Sequence, residues 1–236
     1  MNIADNLARL RERIAQAASR SGRSPESVTL MAVSKTIELE RIHQAYEAGL
    51  RVFGENRVQE MDEKHTSRKG MDEARWHLIG HLQTNKAKKA VELFNAIDSL
   101  DSLRLAEMLN QAAAQMNKVM PALIEIKTSE EESKAGVPAG SRELEDMLQG
   151  LAKLEHLQVC GLMTVPPFTE NPEGARPYFR RLRELRDQIA ARKLPRVQME
   201  TLSMGMSHDF EVAVEEGSTC VRVGTALFGL RSVPKT

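Results

Sequence analysis

Lys35 follows the apolar run Leu30-Met31-Ala32-Val33 after a single serine. If that run is a strand, Lys35 shares a face with Val33. An amine held at the mouth of an apolar scaffold loses hydration, which favours its neutral form. A neutral amine attacks carbonyl carbon and forms a Schiff base. A lysine snorkelling to solvent from a strand end is the plain alternative, and Lys35 alone does not choose between them. A second group of residues suits an anion. Ser203, Gly205, Met206 and Ser207 lead into a helix that starts near His208-Asp209, and Gly224-Thr225 follow the last apolar run. Amides at a helix start, close-approach glycines and hydroxyls fit a phosphate dianion, although Ser207 by itself serves equally as an N-cap. The third feature is Arg222. It stands between Val221 and Val223 and so faces the opposite side of its strand. A guanidinium on a strand wrapped by helices is costly unless paired. Its partner is either a carboxylate such as Glu55 or Glu125, or a ligand with a ring nitrogen or an anionic group.

These residues need a scaffold that brings distant strand ends together. Helical and extended patterns alternate along the whole chain. Strands are predicted at 29–34, 52–54, 76–80, 96–100, 122–127, 157–165, 201–204 and 219–223. Helices are predicted at 39–48, 57–68, 85–94, 103–116, 142–151, 174–191 and 209–215. An additional N-terminal helix carries the stripe Ile3, Leu7, Leu10 and Ile14. Eight strand–helix units without linker-like segments predict an α/β fold, a closed (β/α)8 TIM barrel, with residues 1–236 as a single domain. An open doubly wound sheet is the alternative, but no GxGxxG follows any strand. In a barrel the reactive groups lie after the C-terminal ends of the strands, and phosphate sites recur after strands 7 and 8. Lys35, the loop 203–207 and Gly224-Thr225 all satisfy that rule.

Composition excludes several classes. Lys plus Arg number 33 and Asp plus Glu also 33, so no global field draws in nucleic acid or anionic membrane. The arginines 176, 180, 181, 183 and 186, with Lys86, Lys88 and Lys89, are interrupted by Glu184 and Asp187 and read better as solvated helix faces. Cys160 and Cys220 sit in apolar runs and read as small buried hydrophobes in a reducing compartment; no zinc spacing is present and no metal is expected. The N-terminus lacks a signal-peptide core and no run reaches membrane-span length, so the cytoplasm is expected, with no membrane partner. His43, His65 and His156 are expected at exposed positions. No extended apolar helix face is left unexplained, and a monomer is expected.

Seven segments in order carry a resemblance. They are Ala-Val-Ser-Lys-Thr at 32–36, Phe-Gly-Glu-Asn-Arg-Val-Gln-Glu at 53–60, Trp-His-Leu-Ile-Gly-His-Leu-Gln-Thr-Asn-Lys at 76–86, Ser-Lys-Ala-Gly at 133–136, Gly-Leu-Met-Thr at 161–164, Leu-Ser-Met-Gly-Met-Ser at 202–207 and Val-Arg-Val-Gly-Thr-Ala-Leu-Phe-Gly at 221–229. Over essentially its whole length the chain resembles the pyridoxal-phosphate homeostasis protein family, which shares the barrel of the alanine racemase N-terminal domain (fold type III of the pyridoxal-phosphate proteins). The resemblance implies that Lys35 forms the internal aldimine with pyridoxal 5'-phosphate. It implies that Ser203, Ser207, Gly224 and Thr225 hold the phosphate with backbone help from Met206, and that Arg222 faces the pyridine nitrogen. Asn56, His77 and Met163 would line the ring pocket. Lys134 matches a family lysine implicated in cofactor handover. The segment Thr-Ser-Glu-Glu-Glu at 128–132 is more acidic than the family pattern, which leaves the role of that loop open.

The resemblance further implies a part in intracellular vitamin B6 homeostasis, with pyridoxal-phosphate-dependent apo-enzymes as recipients and no dedicated reaction. An arginine opposite the ring nitrogen disfavours its protonation and weakens the ring as an electron sink. Related racemases add a second domain whose tyrosine acts on the opposite face. Here the chain runs only to Thr236, and its tyrosines, Tyr46 and Tyr178, lie in helix-like segments. Without a second proton-transfer group, racemisation is hard to build. The alternative is a small fold type III enzyme such as an amino-acid racemase.

Overall fold

The computed structural model describes residues 2–65, 70–131 and 135–229. Eight strands form the centre: β1 (Thr29–Val33), β2 (Val52–Glu55), β3 (Arg75–Leu78), β4 (Ala96–Leu100), β5 (Met120–Lys127), β6 (Leu157–Met163), β7 (Val197–Met206) and β8 (Cys220–Val223). All neighbours are parallel, in the order β4-β3-β2-β1-β8-β7-β6-β5, and β4 pairs with β5 to close the barrel. A two-residue strand, Val137–Pro138, pairs with the end of β5 outside the ring. Closure leaves no exposed sheet edge in the barrel and sends every strand's C-terminal end to one face.

The helices are α1 (Ile3–Arg20), α2 (Leu39–Glu47), α3 (Val58–His65), α4 (Ala87–Leu93), α5 (Leu103–Gln115), α6 (Arg142–Leu151), α7 (Arg176–Ala191), α8 (Phe210–Glu215) and α9 (Thr225–Phe228). The α1 stripe of Ile3, Leu7, Leu10, Ile14, Ala17 and Ala18 is buried, and it packs on α2, α8 and α9. Asn6 on that face donates to the Leu227 carbonyl at 2.8 Å. Serines start two of the helices, Ser102 accepting from Leu105 N and Ser141 from Leu144 N. Alternation decides which side chains enter the lumen. Trp76 and Leu78 are fully buried against the helix layer while His77 points inward, and Arg222 points inward between buried Val221 and Val223. Trp76 stacks on Phe53 with ring centroids 5.0 Å apart.

The differences from the sequence reading have local causes. β7 begins at Val197, because Val197 and Met199 are buried while Gln198 and Glu200 are exposed, a half-solvated alternation at the barrel's rim. Pro121 lies inside β5, near its start, where a missing N–H is tolerated. α7 starts only after a 3-10 turn, Pro172–Ala175, that Asn171 caps. α9 is a single turn, too short for periodicity to reveal. Cys160 is half-buried and Cys220 buried, both free thiols, and burial pushes the Cys220 thiol up to about 12. His43 and His156 are half-buried rather than exposed, and His156 Nδ1 lies 3.1 Å from the Lys118 carbonyl; the His65 side chain lies outside the described residues. Among the described residues no helix is long and apolar enough to cross a membrane, and no group of His, Cys, Asp or Glu has metal-ligating geometry.

Candidate functional site at the C-terminal face of the barrel

A cavity of about 360 Å³ opens at the C-terminal ends of β1, β2, β3, β6, β7 and β8. Of the ten residues read as a site, it brings together Lys35, Asn56, Met206, Ser207, Arg222, Gly224 and Thr225. Lys134 lies outside the described residues. His77, Met163 and Ser203 are elsewhere, as set out below.

The loop that carries Lys35 is pinned on both sides. Ser34 is fully buried and donates to Glu55 Oε1 at 2.6 Å, while its amide donates to the Gly54 carbonyl. Thr36 adopts φ 61°, and its amide donates to Glu60 Oε1. Lys64 ties the ends together, donating to the Ser34 carbonyl at 2.9 Å and to Glu55 and Glu60 at 2.8 Å each. Burial raises the Glu55 pKa against the pull of Lys64, and its Oε2 is buried with no hydrogen bond from a described residue. Lys35 is half-buried between these fixed neighbours.

The opposite wall is made by the ends of β7 and β8. Gly205 sits at φ +91°, and a Cβ there would lie 2.5 Å from the Ala213 Cβ, so the close passage of this loop over α8 requires glycine. Ser207 Oγ accepts from Ala226 N at 3.3 Å, which joins the two loops and leaves the hydroxyl hydrogen for another acceptor. Gly224 is half-buried and Thr225 exposed at the rim. The Met206 amide, expected to help hold a phosphate, instead donates to Asp209 Oδ1 at 2.6 Å. Asp209 is available for this because α8 starts at Phe210, later than the sequence suggests.

Arg222 forms the floor between the two walls and is 3% exposed. It donates from Nη1 to Ser203 O and Oγ at 2.7 and 2.8 Å, and from Nη2 to the Thr164 carbonyl at 2.7 Å. No described carboxylate lies within 4.0 Å, so neither Glu55 nor Glu125 forms the ion pair that the sequence left open. Burial lowers the Arg222 pKa, while Cys220, Asp98, Glu125 and Asp209 act from a distance in the other direction. Held by neutral acceptors, the guanidinium keeps its charge for the cavity. Ser203 therefore faces the arginine, not the cavity.

His77 also departs from its expected position. Its Nδ1 lies 3.0 and 3.2 Å from the two Asp98 oxygens inside the lumen. Burial opposes the charged ring, but Asp98's charge and hydrogen bond outweigh it and raise the His77 pKa. Both residues line a different cavity, about 500 Å³, whose walls come largely from strand starts such as Thr29, Arg75, Pro121 and Cys220, at the barrel's N-terminal end. Met163 is fully buried and does not line the C-terminal cavity. Four cavity residues escaped the sequence reading: Val33, Ile79, Val165 and His208. The first three are ordinary strand-end apolar residues. His208 donates from Nε2 to the Thr169 carbonyl at 3.0 Å and packs on Phe168, which is 78% exposed, so it tethers the loop after β6 to the rim.

The cavity thus offers an amine, hydroxyl donors and a buried guanidinium that no described carboxylate contacts. A parallel barrel with an amine after β1 and hydroxyls after β7 and β8 has the architecture of the alanine racemase N-terminal domain, and the family of that description matches residues 6–232. Within that class the chain belongs to the pyridoxal phosphate homeostasis proteins. It is 46% identical over 231 residues to the pyridoxal phosphate homeostasis protein of Aquifex aeolicus, covering 98% of this chain and 99% of the relative. The Escherichia coli K12 protein of the same name is 41% identical over 239 residues, covering 99% of each. PipY of Synechococcus elongatus, solved with pyridoxal phosphate bound, is 38% identical with a TM-score of 0.85, covering 96% of this chain and all of that one.

Proposed function

We propose that this protein holds pyridoxal 5'-phosphate as a Schiff base on Lys35 and serves vitamin B6 homeostasis without a dedicated reaction. The observation that carries the reading is one cavity with Lys35 on one wall, Ser207 and Thr225 on the other, and Arg222 on its floor with no carboxylate partner among the described residues. The donor set fits the cofactor. A phosphate takes hydroxyls and amides, a ring takes the apolar walls of Val33 and Ile79, and a neutral pyridine nitrogen accepts from a guanidinium. When bound, the cofactor supplies an aldehyde for the amine.

Each residue has a separable task. Lys35 holds the ligand covalently. Ser207, Gly224 and Thr225 grip the phosphate, with Met206 contributing wall contact while its amide stays on Asp209. Arg222 keeps the ring nitrogen unprotonated, and Ser203 holds Arg222 in place. Asn56 borders the ring. His77 and Met163 act at one remove, His77 through Asp98 in the lumen. The naming of relatives for homeostasis and the cofactor in the PipY structure support the assignment. Absence of a dedicated reaction is supported by the site's acid–base inventory. Neither Tyr46, which lies under Arg51, nor Tyr178 on α7 lines the cavity, and the His208 ring proton is committed to Thr169. The arginines of α7 are largely occupied: Arg176, Arg180 and Arg183 pair with Glu216, and Arg186 with Asp187, which speaks against a nucleic-acid face. We read the chain as one cytoplasmic domain over 1–236, monomeric, with pyridoxal-phosphate-dependent apo-enzymes as recipients.

The test is spectroscopic. The full-length chain mixed with pyridoxal 5'-phosphate develops the visible absorbance of an imine, and Lys35→Ala does not. A colourless wild type, or a Lys35→Ala variant that colours equally, overturns the assignment. Inversion of L-alanine or L-serine above background would make it an enzyme instead.

A further inference from the structure

Two segments, 57–60 and 82–86, take no part in the Lys35 cavity apart from the bond that Glu60 makes to Thr36. They meet each other around a second cleft, of about 380 Å³, on the same face of the barrel. Arg57, Gln59, Gln83 and Lys86 line it over a floor of buried Val58 and Leu82, and His81 stands at its edge. The side chains of Arg57, Gln59, Gln83 and Lys86 make no hydrogen bond or ion pair with a described residue, and no described carboxylate lines the cleft. Three acids on the flanking segments are engaged elsewhere. Glu60 accepts from Lys64 and Thr36, Asp62 from Lys89, and Asp101 from His81 at 2.9 Å. The walls are also fixed relative to one another. A Cβ on Gly80 would lie 2.4 Å from the Asn56 carbonyl, and Ile79 N donates to Glu55 O, so the loops after β2 and β3 lock together.

Two cations without a described carboxylate partner and two amide side chains, each with an NH2 donor, converge on one cleft, which carries a net positive charge. Paired cations supplemented by amide NH2 groups, with no anion beside them, favour an oxyanion. We propose that this cleft is a second binding site, which takes the phosphate or carboxylate group of a small molecule independently of what Lys35 carries. Asn56 belongs to both cavities, so a ligand here lies against the wall of the first site.

The experiment is an isothermal titration of the full-length chain, without cofactor, with inorganic phosphate and separately with malonate at fixed low salt. The account predicts saturable binding of at least one of the two anions. Arg57→Ala and Lys86→Ala each weaken it about tenfold, the effect of losing one charge-assisted hydrogen bond, while Arg142→Ala, which removes an exposed cation outside both cavities, leaves it intact. Both substituted side chains reach the surface, and circular dichroism checks that the variants remain folded. Failure of both anions to bind saturably, or binding that the two cleft substitutions leave unchanged, overturns the proposal. Because no cofactor is added, the result is readable whether or not Lys35 forms a Schiff base.

Discussion

At Arg222 the barrel buries a charge on neutral partners, and two predictions follow from how that charge is held. Ser203 Oγ supplies one of its three contacts while the Ser203 and Thr164 carbonyls supply the others. Ser203→Ala therefore lowers stability by roughly 1.5–3 kcal/mol, the worth of a hydrogen bond to a buried charge, measured as the shift in urea midpoint at unchanged slope. Arg222→Met acts differently. It removes the donor proposed to face the ring while leaving Lys35 in place, so on this reading the imine still forms but the ligand is retained at least about tenfold less tightly, as expected for one lost charge-assisted contact; equilibrium dialysis reads the retention. Lys35 and Arg222 were legible in the sequence because strand alternation and a flanking apolar run assign a side chain to a face. Ser203 and His77 were not. Their partners, Arg222 and Asp98, lie on neighbouring strands, and a single sequence does not disclose the register that sets Ala96 beside His77 or Cys220 beside Ser203.

At the scale of elements, β1, β2 and α3 are joined by Lys64, whose ammonium bridges the Ser34 carbonyl, Glu55 and Glu60. Removing that ammonium strands a fully buried carboxylate. Lys64→Met thus costs about 3–5 kcal/mol, and pairing it with Glu55→Gln recovers most of the loss. A double-mutant cycle by chemical denaturation measures the coupling; additive effects would contradict the bridge. The turn from β7 into α8 has its own constraint. Gly205→Ala introduces both a positive-φ penalty and a clash with Ala213 and Phe210, and destabilises by more than about 1 kcal/mol. Most elements could be read from periodicity, since helix stripes and buried runs are strong signals. The start of β7 and the single-turn α9 could not, the one because its outer half alternates at a solvated rim, the other because four residues carry no period.

For the whole molecule, the lumen gathers Arg222, Asp98, Glu125 and His77, charges drawn from β8, β4, β5 and β3 that no local pattern would associate. The barrel itself was legible from eight alternating units; this charged interior emerges only on closure. Burial, partly offset by Arg222 and His81 and reinforced by Asp101, pushes the Glu125 carboxyl up from 4.5 to about 7. Between those values the folded chain binds a proton here that the unfolded chain has lost, so stability falls as pH rises from about 4.5 to 7, by on the order of 3 kcal/mol at most. Glu125→Gln removes that part of the slope, and denaturation midpoints at pH 5 and pH 7.5 for both proteins check it. The assignment of function rests more narrowly on one bond. Borohydride reduction of the protein mixed with pyridoxal 5'-phosphate, followed by proteolysis and mass spectrometry, locates that bond directly. The account predicts a reduced pyridoxyl adduct on the peptide containing Lys35. An adduct spread over other lysines with residue 35 unmodified would contradict it.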